Sequence, residues 1–232
     1  MSDLKILSGG AANGLVSALT APFTKSTGLG ITGDFGAVGV MRDRVLAGEP
    51  VDLIVLTRAI VGDLANSGHV VPDTIADLGQ VITGVAVRDG ATMPDVSTAE
   101  GLRDVLLAAD AIYFPDTVKA TAGIHFAKVL AALRISDTVN NRLKTFPNGQ
   151  TAMTAMVAST DSNPVGCTQI TEILNTAGVT YAGDLPQGHG LVTTYTAGVS
   201  TTAQRGEAAR TLISILTAPE NAKTRTRSGF AT

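Results

Sequence analysis

Residues 4–19 read LKILSGGAANGLVSAL, and the change of period within this stretch decides the fold. Leu4, Ile6 and Leu7 form a short apolar run that suits a buried strand and is too brief for a helix. Ser8-Gly9-Gly10 ends the run, because paired glycines admit backbone angles closed to other residues. Apolar residues then return at four-residue intervals, Leu15, Leu19 and Phe23, with Ala12 and Val16 alongside, which is the period of a helix. Strand, small polar turn and helix make half of a parallel βαβ unit. Ligands of open α/β sheets bind at the carboxyl edge of the strands, where helix-start N–H groups face outward and favour an anion. Ser8, Gly9 and Gly10 are therefore candidates to hold an oxyanion, although an ordinary strand-to-helix turn uses the same residues.

The device recurs along the chain. Ile31 to Phe35 predicts a second strand, and Gly36-Ala37-Val38-Gly39 leads into a helix carrying Val40, Met41, Val45 and Leu46 that stops at Gly48 and Pro50. Val51 to Leu56 is the clearest strand, with Thr57-Arg58 at its far end and a helix from Ile60 to Leu64. Three such units in succession predict an α/β layout with a mostly parallel sheet. Val81 to Val87 reads as the strand that leaves this first sheet for a second one. Ser97-Thr98-Ala99-Glu100 has the form of a capping box ahead of Leu102, Val105 and Leu106.

Further on, strands are expected at 111–114 and 164–167, with a return strand at 191–199. Helices are expected around Phe126 to Leu133, after Asn148-Gly149-Gln150, after a cap at Thr168, over 206–216 and from Pro219. The two crossings divide the chain into a discontinuous first lobe, 1–82 with 198–232, and an inserted second lobe, 83–197.

Composition bounds the function. The 232 residues are 44% hydrophobic and 16% charged with net charge −3, and no lysine–arginine cluster occurs, which argues against nucleic acid as the partner. No run approaches the roughly 18 apolar residues that a membrane span needs. The single cysteine, Cys167, cannot form an internal disulfide. His69 and His189 sit in Gly-flanked loops with no metal-ligand spacing, and nothing in the chain asks for a metal or other cofactor. Met1-Ser2-Asp3 carries no basic or apolar leader, so the sequence as written reads as cytoplasmic, and as periplasmic if a signal peptide precedes it.

The order of elements resembles the type II periplasmic binding proteins, specifically the molybdate-binding branch. The resemblance is carried by the "SGG" turn, "GAVGVMRDRVLAGEPVDLIVLT", "GVAVRDG", "LLAADAIYF", "TAGIHFAKVLAALRI", "YTAGVS" and a terminal "SGF". It implies two lobes, each a mostly parallel sheet flanked by helices, closing on a small anion in the cleft between them, and an ABC transporter permease as partner. Molybdate binders of this kind usually carry serines in the first two turns. Ser8 matches the first, whereas Ala37-Val38 occupies the second. A sub-branch similar to this chain includes aconitate isomerase, which implies an alternative: an enzyme that shifts a proton on an unsaturated tricarboxylate.

The candidate ligand groups follow. Phe35, Gly36, Ala37 and Val38 offer N–H groups at the second turn. Arg58 follows the best strand, beside Thr57, where a guanidinium grips a carboxylate bidentately. A cation at a helix start opposes the helix dipole, so an anion is expected to compensate it. Thr121, Ala122 and Gly123 begin another helix, with Lys119 before it and His125 in its first turn. Under the isomerase alternative Lys119 or His125 shuttles the proton, since histidine titrates near neutrality. Otherwise His125 is a half-buried packing residue and Lys119 faces solvent. Tyr195 on the return strand, a family match, is a hydroxyl donor or a packing aromatic. Gln150 and Thr168 are weaker candidates of the same sort. Asp52 is expected to orient backbone or Arg58, and Cys167 reads as a small buried residue.

Overall fold

The computed structural model describes residues 3–231. β1 (Leu4–Gly9) passes through a 3-10 turn at Gly10–Ala12 into α1 (Asn13–Thr27), followed by β2 (Ile31–Gly36) and α2 (Val38–Leu46). Next come β3 (Leu53–Thr57), α3 (Arg58–Asn66), the long β4 (Ala76–Arg88), α4 (Ala99–Ala108), β5 (Ala111–Pro115) and α5 (Thr121–Ala132). The chain continues as α6 (Ser136–Val139), β6 (Leu143–Phe146), α7 (Gly149–Ala158), β7 (Pro164–Gln169), α8 (Ile170–Leu174) and β8 (Val179–Asp184). It ends with β9 (Val192–Val199), α9 (Gly206–Thr217) and α10 (Ala222–Arg227). The residues fall into two compact units: everything up to Val81 together with Thr193 onward, and Ile82–Val192.

In the first unit the strand order is β2-β1-β3-β9. β1 is parallel to both β2 and β3, and β9 returns antiparallel to β3. Both faces of β3 are covered, so it reads as a continuous apolar run, whereas β1 is interrupted by the half-buried Lys5. Leu4, Ile6, Leu7, Leu53, Ile54, Val55 and Leu56 are all fully buried. The stripe Leu15, Leu19 and Phe23 buries one face of α1, each side chain contributing roughly 1.5–3 kcal/mol of transfer free energy.

In the second unit the order is β8-β4-β7-β5-β6. β5, β6 and β7 are mutually parallel, and β4 runs antiparallel to β7 and β8. Alternation along β7 splits the core in two. Val165 and Cys167 pack with Val85, Phe114, Phe126 and Leu130 on the α5 face, while Met153, Met156, Tyr113 and Ile173 form the α7 face.

Several local readings change. The cap of α4 is Thr98, whose hydroxyl accepts the Gly101 N–H at 3.0 Å, while the Ser97 hydroxyl donates to Asp95. Thr168 caps nothing, because it is the fifth residue of β7 and α8 starts two residues later. β6 and β8 were not expected from the sequence: LKTF is short and Gly183 interrupts VTYAGD, so neither shows a clear period.

Candidate functional site

The carboxyl edge of the first unit is assembled by register. Ser8 lies beside Phe35 and Gly9 beside Gly36 across β1 and β2, Ser8 beside Val55 across β1 and β3, and Thr57 opposite Tyr195 across β3 and β9. Gly10, Ala37, Val38 and Arg58 open the helices that follow these strands. Among the described residues, the N-cap positions Gly9, Ala37 and Thr57 give no side-chain cap to the 3-10 turn, α2 or α3. The first N–H groups of a helix have no partner within it and carry partial positive charge. Where a side-chain cap is absent, they are available to an anion.

The individual side chains sit differently from a simple donor set. Ser8 is completely buried, and its hydroxyl donates to the Gly9 carbonyl at 2.9 Å, so it presents lone pairs rather than a proton. Tyr195 is also buried, its ring against Gly9 and edge-on to Phe230, with ring centroids 6.4 Å apart. Arg58 has its compensating anion within the protein. Nε contacts Asp77 Oδ1 at 3.1 Å, Nη2 pairs with Oδ2 of the same carboxylate, and the Thr196 hydroxyl donates to Asp77 at 2.6 Å. Beside this pair opens a cavity of about 470 Å3 whose lining includes Gln80, Thr194, Thr217 and Arg225. Asp52 does not touch Arg58. It accepts the N–H groups of Lys5, Gln204 and Arg205, each at 2.9 Å.

In the second unit, α5, α7 and α8 all start at the carboxyl edge of the parallel strands they follow. Asp116 folds the approach to α5 by accepting the N–H groups of Val118 at 2.8 Å and Lys119 at 2.6 Å. No side chain caps α5. Thr121 is its first residue and is half-buried, while Ala122 and Gly123 are buried. A Cβ at residue 123 would run into the carbonyls of Pro115 and Asp116, so Gly123 lets α5 press against the end of β5. His125 is half-buried and its Nε2 lies 2.6 Å from the His189 carbonyl. A carbonyl only accepts, so Nε2 carries the proton and Nδ1 is the atom that could take another.

The start of α7 is already filled. Asn148 accepts the Thr151 N–H at 2.9 Å, and Glu172 accepts the N–H groups of Gly149, at 3.2 Å, and of Gln150. The Thr168 hydroxyl donates to the other Glu172 oxygen at 2.6 Å. Thus the donors at Gln150 and Thr168 that the sequence offered to a ligand are bound to an internal carboxylate. Burial pushes the Glu172 carboxyl up, and the hydrogen bonds from Thr168 and the main-chain N–H groups pull in the opposite direction. Sequence reasoning missed Glu172. Its signal was a lone carboxylate inside the apolar frame of Ile170 and Ile173. Burial also pushes the Cys167 thiol far up, which leaves it unreactive. Among the described residues no three of His, Cys, Asp or Glu gather as a metal site.

Comparison with known proteins identifies relatives of this whole architecture. Aconitate isomerase from Pseudomonas sp is 26% identical over 238 residues, covering 99% of this chain and 88% of that protein. The periplasmic molybdate-binding protein of Azotobacter vinelandii superposes with a TM-score of 0.80 at 17% identity, covering 99% of both chains. The sulfate-binding protein SubI of Mycobacterium tuberculosis H37Rv gives 0.75 at 17% identity, over 99% of this chain and 86% of that one. The model of one family, described as bacterial extracellular solute-binding protein, matches residues 4–231, and the chain belongs to that family.

Proposed function

We propose that this protein binds a small anion, an oxyanion or a carboxylate, as the solute-binding partner of an ABC-type transporter. The observation that carries this reading is the capping pattern. The N-cap residues of the 3-10 turn at Gly10–Ala12, α2, α3 and α5, each after a strand, make no side-chain cap bond, whereas at α7 Asn148 and Glu172 take the N–H groups and at α8 Glu172 takes that of Gln169. Uncapped starts hold their N–H groups ready for an external acceptor. The names of the molybdate and sulfate binders that share the fold fit the same chemistry.

A second reading, an isomerase acting on an unsaturated tricarboxylate, is favoured by the likeness to aconitate isomerase over nearly the whole chain. In it His125 Nδ1 or Lys119 takes a proton from one carbon of the substrate and returns it to another, and the α5 start stabilises the charge that develops. A thermal-shift screen of molybdate, sulfate, phosphate, citrate and aconitate separates the two. Stabilisation that grows with ligand concentration supports anion binding, and its absence with every anion ends that reading. Proton NMR of trans-aconitate with the protein decides the second: cis-aconitate must appear, and an unchanged spectrum removes the isomerase.

A further inference from the structure

Among the described residues, five buried side-chain polar atoms have no hydrogen-bond partner, and all five lie in the second unit: Thr83 Oγ1, both Gln169 carboxamide atoms, Thr171 Oγ1 and His189 Nδ1. Such groups are rare in native proteins, and each asks for an explanation. For Thr83 and Gln169 their placement supplies one. Thr83 and Gln169 are opposed across β4 and β7, so their side chains share a face of the sheet, two residues beyond the pair Val85 and Cys167. That is the α5 face, and the pair stands where the apolar cluster ends, at the carboxyl edge of β7.

The loop 185–191 folds over the same corner. Leu185 N–H donates to the Thr83 carbonyl at 3.3 Å, Thr83 N–H donates to the Leu191 carbonyl at 3.1 Å, and His125 on α5 holds the His189 carbonyl. Gln169 and Thr83 are 2% and 1% exposed, so bulk solvent does not reach them. The carboxamide lacks partners on both atoms, so the finding is the same whichever way the amide is turned.

We infer that Thr83 and Gln169 form a specificity subsite for a ligand group that donates and accepts hydrogen bonds at once, an alcohol hydroxyl on an organic acid. The chemistry follows from the donor and acceptor count. Gln169 Nε2 and the Thr83 hydroxyl donate, whereas Gln169 Oε1 only accepts. A fully ionised tetrahedral oxyanion such as sulfate offers acceptors alone and would set its oxygens against Oε1. A hydroxyl satisfies both carboxamide atoms together. A site built this way rejects the analogue that lacks the hydroxyl, because its own buried groups are then left unpaired. This inference deepens the proposal that the protein binds a small anion, and rests on it.

Isothermal titration calorimetry on the full chain tests it with matched pairs: citrate against tricarballylate, and malate against succinate, with sulfate, molybdate and phosphate as controls. At least one hydroxy acid should bind ten-fold or more tighter than its deoxy partner. Gln169→Leu should bring that ratio to within two-fold, and Thr83→Val is the second variant should the first not fold. The ligand comparison itself needs only the unmodified protein. Equal affinity for both members of each pair, or an unaltered ratio in the variants, overturns the subsite while leaving anion binding intact. Phosphate binding tighter than every hydroxy acid also overturns it, by showing that an O–H on phosphorus is what the site reads. Failure of every anion to bind overturns this inference and the anion-binding proposal together.

Discussion

The ring of Tyr195 occupies the space that a side chain at Gly9 would need. A Cβ built on residue 9 would stand 2.7 Å from Tyr195 Cε1 and 2.9 Å from Val38 Cγ1. Both neighbours belong to the same unit and both are buried, so neither can retreat into solvent. Gly9→Ala should therefore destabilise the fold by about 1–3 kcal/mol through overpacking, read as a lowered midpoint in chemical denaturation. Tyr195→Phe keeps the ring and removes only the hydroxyl. It should leave the fold intact and weaken a bound anion by about 1 kcal/mol where that hydroxyl donates to it. Unchanged affinity would show that the Tyr195 hydroxyl does not hold the anion.

Arg58 and Asp77 give the second prediction. The guanidinium is 67% exposed, so the ion pair with Asp77 contributes under about 1 kcal/mol to stability, and Arg58→Ala should barely move the thermal midpoint. If the guanidinium also grips ligand, the same change should cost roughly 1.5–3 kcal/mol of affinity. A thermal melt reads the first part, and calorimetric titration of the tightest-binding anion reads the second. Loss of stability without loss of affinity would make Arg58 a structural partner of Asp77 and nothing more.

These two cases show what the sequence made legible and what it concealed. The strand-to-helix turns were readable, because Gly9-Gly10, Gly36 and Gly123 punctuate apolar runs with clear periods. The mismatch of Arg58 with the helix dipole was readable too, and an anion does compensate it. That this anion is Asp77, 19 positions away on the long crossing strand, depends on tertiary placement that no local pattern carries. The same holds at α7. A helix after Asn148-Gly149-Gln150 was visible, but Glu172 reaches Gly149 across 23 positions and fills the site that Gln150 and Thr168 promised to a ligand.

Glu172 carries a third prediction. Glu172→Ala would leave the Thr168 hydroxyl and the N–H groups of Gly149 and Gln150 buried without an acceptor, at a cost on the order of 3 kcal/mol. Glu172→Gln keeps the shape and an acceptor oxygen and should cost far less. The pH dependence has a definite sign. Burial raises the folded pKa above its ordinary value of 4.5, so the protonated form favours folding. That contribution is full below pH 4.5 and is lost as pH rises through the raised folded pKa. Urea midpoints measured across this range should therefore fall with pH in the wild-type chain. The slope should flatten in Glu172→Gln, and an identical slope in both would show that Glu172 does not control it.

Glu49 should behave in the opposite sense. Arg44 holds its carboxylate with two hydrogen bonds, of 2.6 and 2.7 Å, and Lys5 Nζ stands 3.1 Å away. The hydrogen bonds from Arg44, then from Lys5, lower the Glu49 pKa from 4.5 to about 2. The unfolded chain thus takes up the proton first, and the stability this carboxylate contributes is present above pH 4.5 and drains away as pH falls toward 2. Glu49→Gln should remove that part of the acid sensitivity and leave the Glu172 slope untouched, since the two carboxylates lie in different units. The group is close to the surface, so salt should screen it: the wild-type and variant acid limbs should converge at 1 M salt, where the Debye length is about 3 Å. Acid limbs that differ equally at low and high salt would mean that packing around Glu49, and not its charge, sets the difference.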